Sequence, residues 1–201
     1  CAVVTQKLGG DSAATTSYTI TINLVVAILC PLLLPIAHPQ EGLSFVPAFM
    51  VIINKVFPLL IVPLFLAWFV RFLMPGFHRR IVNTKDLAFY MWAVSLAIAI
   101  AVTCKALAHS EESMWNVGGI AIVTLMACLF QFGFGKWIGS RYGVRMEAGQ
   151  ALGQKNTVFI IWLGYTFLSP ITATAGGFYS IWHNVVNSYQ LYRKRKETQE
   201  A

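Results

Sequence analysis

Residues 149–157 have the sequence Gly-Gln-Ala-Leu-Gly-Gln-Lys-Asn-Thr. This polar stretch interrupts an apolar segment at residues 142–167 and places Lys155 near its middle, about 20 Å along a helix. A lysine at bilayer depth costs several kcal/mol unless it faces protein or water. Two glycines among amides at that depth are typical of a broken helix lining a polar site in a secondary transporter. The sequence therefore predicts a non-helical or kinked segment at residues 150–156.

The overall composition is that of a membrane protein. Hydrophobic residues make up 57% of the 201 residues and charged residues 11%, whereas soluble domains carry about 25% charged residues. The sequence has no catalytic triad, zinc-ligand spacing or phosphate-binding loop, so it does not predict an enzyme, a bound cofactor or a nucleic-acid partner. The lipid bilayer is the first partner that we expect.

Apolar segments set the predicted fold class. A bilayer span needs about 20 mostly apolar residues. Full-length candidates lie at residues 17–37, 57–74, 86–108, 114–134 and 171–191, and the interrupted segment at 142–167 is a sixth. We interpret residues 44–56, which end near Asn54 and Lys55, as an interfacial helix leading into the second span. The prediction is an all-α, polytopic membrane helix bundle.

The basic residues indicate the orientation of these spans. If the C-terminus is cytoplasmic, twelve of the 15 basic residues fall on the cytoplasmic side. They are Lys7, Arg71, Arg79, Arg80, Lys85, Lys136, Arg141, Arg145, Arg193, Lys194, Arg195 and Lys196. The opposite loops, at residues 39–42, 110–113 and 169–170, contain no Lys or Arg. The positive-inside rule therefore predicts an integral protein of the plasma (inner) membrane with a cytoplasmic C-terminus.

The interrupted segment supplies most of the candidate site residues. These are Gln150, Gln154, Lys155, Asn156 and Thr157. The glycine spacing alone is also explained by close helix packing. A mid-membrane lysine beside two glutamines and an asparagine instead favours a functional site.

A second candidate pair lies in the first span. Thr19 and Asn23 are four residues apart and share a helix face. Their oxygens are suited to a hard cation, but hydrogen bonding within a helix bundle explains the pair as well, and spacing alone favours that structural interpretation.

Other polar residues receive structural interpretations. Glu147 is interpreted as an interfacial charge beside Arg145. His183, Asn184 and Asn187 form a polar strip that we interpret as solvated at the membrane interface, with an intracellular vestibule as the alternative.

Two stretches resemble the bile acid:sodium symporter family. Residues 149–157 resemble the family's crossover helix, and Thr-Gln-Lys-Leu-Gly-Gly-Asp at residues 5–11, with the span ending Leu-Cys-Pro-Leu-Leu-Leu-Pro, resembles its helices 4 and 5. Proteins of that family have ten helices in two inverted repeats. The resemblance implies that residues 1–43 end the first repeat, 44–196 form the second five-helix repeat and 197–201 form a cytoplasmic tail. It also implies that N-terminal helices are missing from this sequence.

The resemblance also implies a function. The family's Glu-x-x-x-Gln-Asn motif falls on Gln150, Gln154 and Lys155, and a helix 5 ligand pair falls on Thr19 and Asn23. All of these except Lys155 are candidate sodium ligands by resemblance. The chain is thus expected to be a secondary active transporter of an organic anion, such as a bile-acid-like or other carboxylate or a sulfonate, working by alternating access.

The coupling ion is sodium or a proton in this interpretation. Gln150 removes the family's negative charge and Lys155 adds a positive one, so the lysine can act as a tethered cation or carry a proton. The alternative is a non-transporting membrane scaffold or sensor that retains the transporter fold, which the loss of the family's sodium ligands favours.

Overall fold

The computed structural model describes residues 1–39, 44–84, 87–109 and 111–200. Every regular element within these ranges is an α-helix, in agreement with the all-α prediction. The predicted loop residues 40–42 and Ser110, the basic residue Lys85 and the predicted start of a span at Asp86 lie outside the described residues.

The helices follow one another with short connections. In chain order they are α1 (Ala2–Lys7), α2 (Ser12–Ala37), α3 (Phe45–Leu73), α4 (Pro75–Asn83), α5 (Leu87–Ala108), α6 (Met114–Ser140), α7 (Arg145–Gly153), α8 (Thr157–Phe167) and α9 (Pro170–Glu200). The turn between α1 and α2 needs glycine. Gly9 has a φ of 87°, and a Cβ on Gly10 would lie 2.8 Å from Thr5 and 2.9 Å from Glu147.

Four helices are long and apolar enough to cross a membrane. They are α2, α3, α5 and α6, with mean hydropathies of 2.5, 2.3, 2.1 and 2.0. Their large apolar side chains are exposed along the helix surfaces, for example Ile28 at 58%, Val123 at 65% and Phe130 at 66%. Water-soluble proteins rarely expose such a continuous apolar surface. These four candidate spans indicate an integral membrane protein that associates with a lipid bilayer.

The structure does not separate residues 44–56 from the second span, so the predicted boundary between them is wrong, whereas the interfacial location of residues 44–56 stays a prediction. Phe45–Leu73 is one continuous 29-residue helix, and it passes through Pro58 and Pro63. The polar pair Asn54 and Lys55 had suggested a segment boundary. In apolar surroundings, ending the helix there would leave several backbone groups unpaired, whereas each internal proline frees a single carbonyl.

Helix α2 begins at Ser12 rather than at residue 17. Asp11 caps this end, because its Oδ1 atom accepts the N–H groups of Ala13 at 2.7 Å and Ala14 at 3.3 Å. A carboxylate is also favourable at the positive end of the helix dipole. A search for apolar spans does not detect a polar first turn of this kind.

The chain divides into two compact units. One consists of Cys1–Thr16 with Ala88–Ala201, and the other is Ser17–Leu87, in which α4 packs on α3. This division concerns packing. The repeat boundaries predicted at residues 43 and 196 are not tested by it and stay predictions.

The larger unit contains the interrupted segment. In it, α7 packs on α6, α8 packs on α9, and α6 also contacts α9. Two buried clusters hold these helices together, Cys128 with Phe132 and Tyr179, and Ala99 with Ile161 and Ala173. Burial of such apolar side chains favours the packed arrangement by about 25 cal/mol per Å² of surface removed from solvent.

Helix α9 forms where a span was predicted at residues 171–191, but its composition differs from that of the four candidate spans. It is not among the helices that qualify by apolar composition. Its buried residues include Ser180, His183 and Asn187. These polar side chains face other helices, and the crossing of the membrane by α9 stays a prediction.

Candidate functional site at the helix break

The predicted interruption is present in the structure. Helix α7 ends at Gly153 and α8 begins at Thr157, so residues 154–156 form a non-helical connection that we call the break. The prediction covered residues 150–156, and its first four residues are helical instead. Gln154 has an extended backbone with φ −87° and ψ 133°.

Tight packing requires a glycine at the last position of α7. The Phe132 ring lies directly over Gly153, and any Cβ there would overlap the ring. The Tyr179 hydroxyl donates to the Gly153 carbonyl at 2.7 Å and lies 3.1 Å from Gln131 Oε1. A side chain therefore satisfies a carbonyl that the next helical turn would otherwise have used.

Asn156 starts the second half-helix. Its Oδ1 atom accepts the N–H of Phe159 at 3.2 Å, which is the usual arrangement of an asparagine cap. Thr157 follows, and its hydroxyl donates to Ser180 Oγ of α9 at 3.2 Å in a buried contact. Both residues were predicted site residues, and the structure shows them anchoring the start of α8.

Gln150 is the centre of a buried amide network. It has no exposed surface, and its Nε2 atom donates to Asn187 Oδ1 at 3.2 Å and lies 3.5 Å from Gln190 Oε1. Its Oε1 atom accepts a hydrogen bond from Gln154 Nε2. The predicted pair of glutamines thus lies together, and α9 supplies the remaining partners.

Lys155 lies in the middle of the break and outside this network. Its side chain is half-buried, and within the described part of the chain the ammonium makes no hydrogen bond or ion pair. Its backbone carbonyl accepts a hydrogen bond from the Thr157 N–H at 3.0 Å. The lysine precedes the N-terminus of α8, where the helix dipole already disfavours a positive charge.

Thr19 and Asn23 lie one turn apart on α2, and both are partly buried. They belong to the unit Ser17–Leu87, whereas the break belongs to the other unit. Their participation in one site with Gln150 and Gln154 stays a prediction, as does the assignment of all four as sodium ligands.

Sequence reasoning misjudged the polar face of α9. The strip of His183, Asn184 and Asn187 was interpreted as solvated, but His183 is 5% exposed and Asn187 is 4% exposed. His183 Nδ1 lies 3.1 Å from the Tyr179 carbonyl, and Asn184 Nδ2 donates to the Ser180 carbonyl at 2.6 Å. The helical spacing of these polar residues was a signal for a shared face, and Asn187 on that face contacts Gln150 of α7.

Glu147 has a more specific role than an interfacial charge. Its Oε1 atom accepts the backbone N–H of Asp11 at 2.6 Å. This hydrogen bond joins the start of α2 to the first turn of α7, where a carboxylate is also favoured by the helix dipole.

Comparisons with models of known protein families, with curated proteins and with solved structures found no match for this chain. The resemblance to the bile acid:sodium symporter family therefore stays a prediction from the quoted motifs.

Proposed function

We propose that this protein is a secondary active transporter of a small organic anion, and that the anion binds at the break. The observation that carries the proposal is the half-buried Lys155, which has no described partner and precedes the N-terminus of α8. Lys155 thus lies close to the positive end of the α8 helix dipole. A carboxylate or sulfonate at this place would compensate both the ammonium and the positive end of the helix dipole.

The surroundings of the break support a transporter rather than a simple surface site. Irregular backbone is tolerated at membrane depth only where protein or a water-filled cavity satisfies it. Here the Tyr179 hydroxyl donates to the Gly153 carbonyl, and Asn156 Oδ1 accepts a hydrogen bond from the Phe159 N–H. Discontinuous helices whose ends face a polar site are the common architecture for alternating access in secondary transporters.

Lys155 also suggests how coupling would differ from sodium symport. A lysine and a sodium ion about 4 Å apart repel by about 4 kcal/mol at an effective dielectric of about 20. Gln150 and Gln154 are engaged with one another and with α9. We infer that the Lys155 ammonium takes the place of a bound sodium ion. Transport of bile-acid-like carboxylates or sulfonates is then independent of sodium.

The test is uptake of a labelled bile acid and a labelled aryl sulfonate into proteoliposomes, using protein expressed from its complete gene. Uptake is expected to persist when choline replaces sodium. Lys155→Gln should lower the affinity about ten-fold or more, because a hydrogen bond to a charged group contributes about 1.5–3 kcal/mol. Lys105→Gln removes the same charge from α5 and should leave uptake unchanged.

Two results would contradict the proposal in different ways. Uptake that requires sodium would reject the role of Lys155 as the coupling cation while leaving transport standing. Saturable binding of either anion without any uptake would reject transport.

A non-transporting scaffold or sensor is the second candidate, and one observation favours it. Gln150 is completely buried, and the structure accounts for both ends of its amide with other side chains. A network so fully paired within the protein can serve a structural purpose without any ligand. Anion binding without uptake is the outcome that would favour this candidate.

A further inference from the structure

A concavity distinct from the break lies between α6, α7 and α9, with a volume of about 660 Å³. Much of its wall is apolar and comes from Leu129, Met146, Val185 and Val186. Leu129 is 53% exposed and Val185 is 56% exposed, so this wall continues onto the outer apolar surface of the helices.

Four cationic side chains from three helices line the same concavity, which we call the basic pocket. They are Lys136 of α6, Arg145 of α7, and Arg193 and Lys194 of α9. Among the described residues that line it, the single carboxylate is Glu197, which lies 3.5 Å from Arg193. The two side chains of that pair are 63% and 58% exposed, so the pair contributes little and most of the positive charge is uncompensated.

Packing holds one of these cations in place. The stem of Lys136 crosses Gly149, where a Cβ would fall 2.6 Å from Lys136 Cγ. Arg145 and Arg193 both lie close enough to repel its half-buried ammonium. Like charges gathered in a concavity are unfavourable while it is empty, and a bound anion would relieve their repulsion.

Two further features of the basic pocket suit an anion. Gln190 lines it, and the buried Nε2 atom of this residue has no acceptor within the ranges that the structure describes. Helix α7 begins at Arg145 without a side-chain cap from Val144, and an anion is favoured near the N-terminus of a helix.

We propose that the basic pocket binds an anionic phospholipid, with the phosphate among Lys136, Arg145 and Arg193 and an acyl chain along Val185 and Leu129. The continuous apolar wall favours a lipid over a soluble anion, because a free phosphate has no apolar group that would contact this wall. Basic pockets between helices on the cytoplasmic side of a membrane are suited to acidic headgroups. The orientation predicted from the basic residues places the pocket on that side.

The experiment measures lipid bound to the protein by native mass spectrometry, after reconstitution in phosphatidylcholine nanodiscs with a rising fraction of phosphatidylglycerol. Selective retention of phosphatidylglycerol is expected. Each of Lys136→Gln, Arg145→Gln and Arg193→Gln should weaken its affinity about five-fold, which corresponds to about 1 kcal/mol for a basic side chain near an anionic surface. Arg193 is largely exposed, so its variant keeps the test valid if Lys136→Gln does not fold.

Matched variants separate this pocket from a generally basic face. Arg80→Gln and Arg195→Gln remove the same charge outside the pocket and should retain phosphatidylglycerol, and Lys136→Arg should retain it as well. Equal weakening by the outside variants would overturn the proposal. So would equal binding of the two lipids, or displacement by the same concentration of glycerol phosphate, which would indicate a site for a soluble anion.

Discussion

Gln150 shows how a single side chain organises the break. It has no exposed surface, and its amide joins Gln154 of the break to Asn187 of α9. A buried amide is favourable only while its hydrogen bonds are made. These hydrogen bonds link the end of α7 to α9, whereas the apolar packing of α7 is mainly on α6.

We expect Gln150→Leu to destabilise the protein. The substitution leaves Asn187 and Gln154 without their partner, and an unsatisfied buried polar group costs about 1–3 kcal/mol. Thermal unfolding in detergent micelles or nanodiscs measures the loss. Gln199→Leu makes the same change at an exposed position of α9 and should be neutral. Equal melting temperatures for the two variants would contradict the network.

At the scale of single residues, the sequence predicted contacts between residues close along the chain and missed those between distant helices. Gln150 and Gln154 are four residues apart, and this spacing alone places them on one helical face. Asn187 and Gln190 lie 37 and 40 residues further along the chain. Their contact with Gln150 depends on how α7 packs on α9, and neither the composition nor the spacing of either helix contains that information.

At the scale of elements, close helix contacts depend on positions without a side chain. Gly177 of α9 lies against Thr103 of α5, and a Cβ on Gly177 would overlap the threonine side chain. Thr103 is 3% exposed, and its hydroxyl already donates to the Ala99 carbonyl at 2.8 Å. The threonine therefore has little room to move away.

Gly177→Ala should destabilise the contact between α5 and α9 by about 1–3 kcal/mol, the usual cost of overpacking. Gly119→Ala is the matched control in α6, because a Cβ at Gly119 meets no atom within 4 Å. That control should be neutral or stabilising, since alanine is the better helix former. Unfolding measurements on both variants, and on Gly177→Ala combined with Thr103→Ala, provide the test. The double variant should recover part of the loss, and a Gly177→Ala variant as stable as the control would show that the helices do not approach so closely.

The extent of the helices was less predictable than their existence. Apolar runs located α2, α5 and α6, since burial in lipid requires such runs. The continuity of α3 was missed because the polar pair Asn54 and Lys55 suggested a boundary, whereas a membrane helix accommodates internal prolines such as Pro58 when neighbouring groups satisfy the freed carbonyl. The break itself was predictable, since Gly153, Lys155 and Asn156 disfavour an apolar helix for three different reasons.

At the scale of the whole molecule, the four candidate spans and the basic residues define an expected topology. Alternation places the C-terminal end of α9 in the cytoplasm and the connection between α5 and α6 outside. Glu111 and Arg195 are exposed and lie in these two regions, so cysteines there can report the side of the membrane.

We expect a membrane-impermeant maleimide to label Glu111→Cys in intact cells and Arg195→Cys only after permeabilisation. The chain with its native cysteines, two of which are partly buried and one buried, provides the background signal. The reverse pattern would show that the positive-inside rule is not obeyed, and it would place the basic pocket on the outer face.

The three residues of the break also connect two helical hairpins, α6 with α7 and α8 with α9. α7 packs on α6 and α8 packs on α9, so the chain crosses from one hairpin to the other only through residues 154–156. The described hydrogen bonds that hold the hairpins together beside this crossing include Tyr179–Gly153 and Gln150–Asn187, each contributing about 0.5–1.5 kcal/mol net. Even a millimolar ligand supplies about 4 kcal/mol. The packing of α6 on α9 adds to these hydrogen bonds, so a ligand held at Lys155 would change the angle between the hairpins only by the difference between its affinities for the two angles.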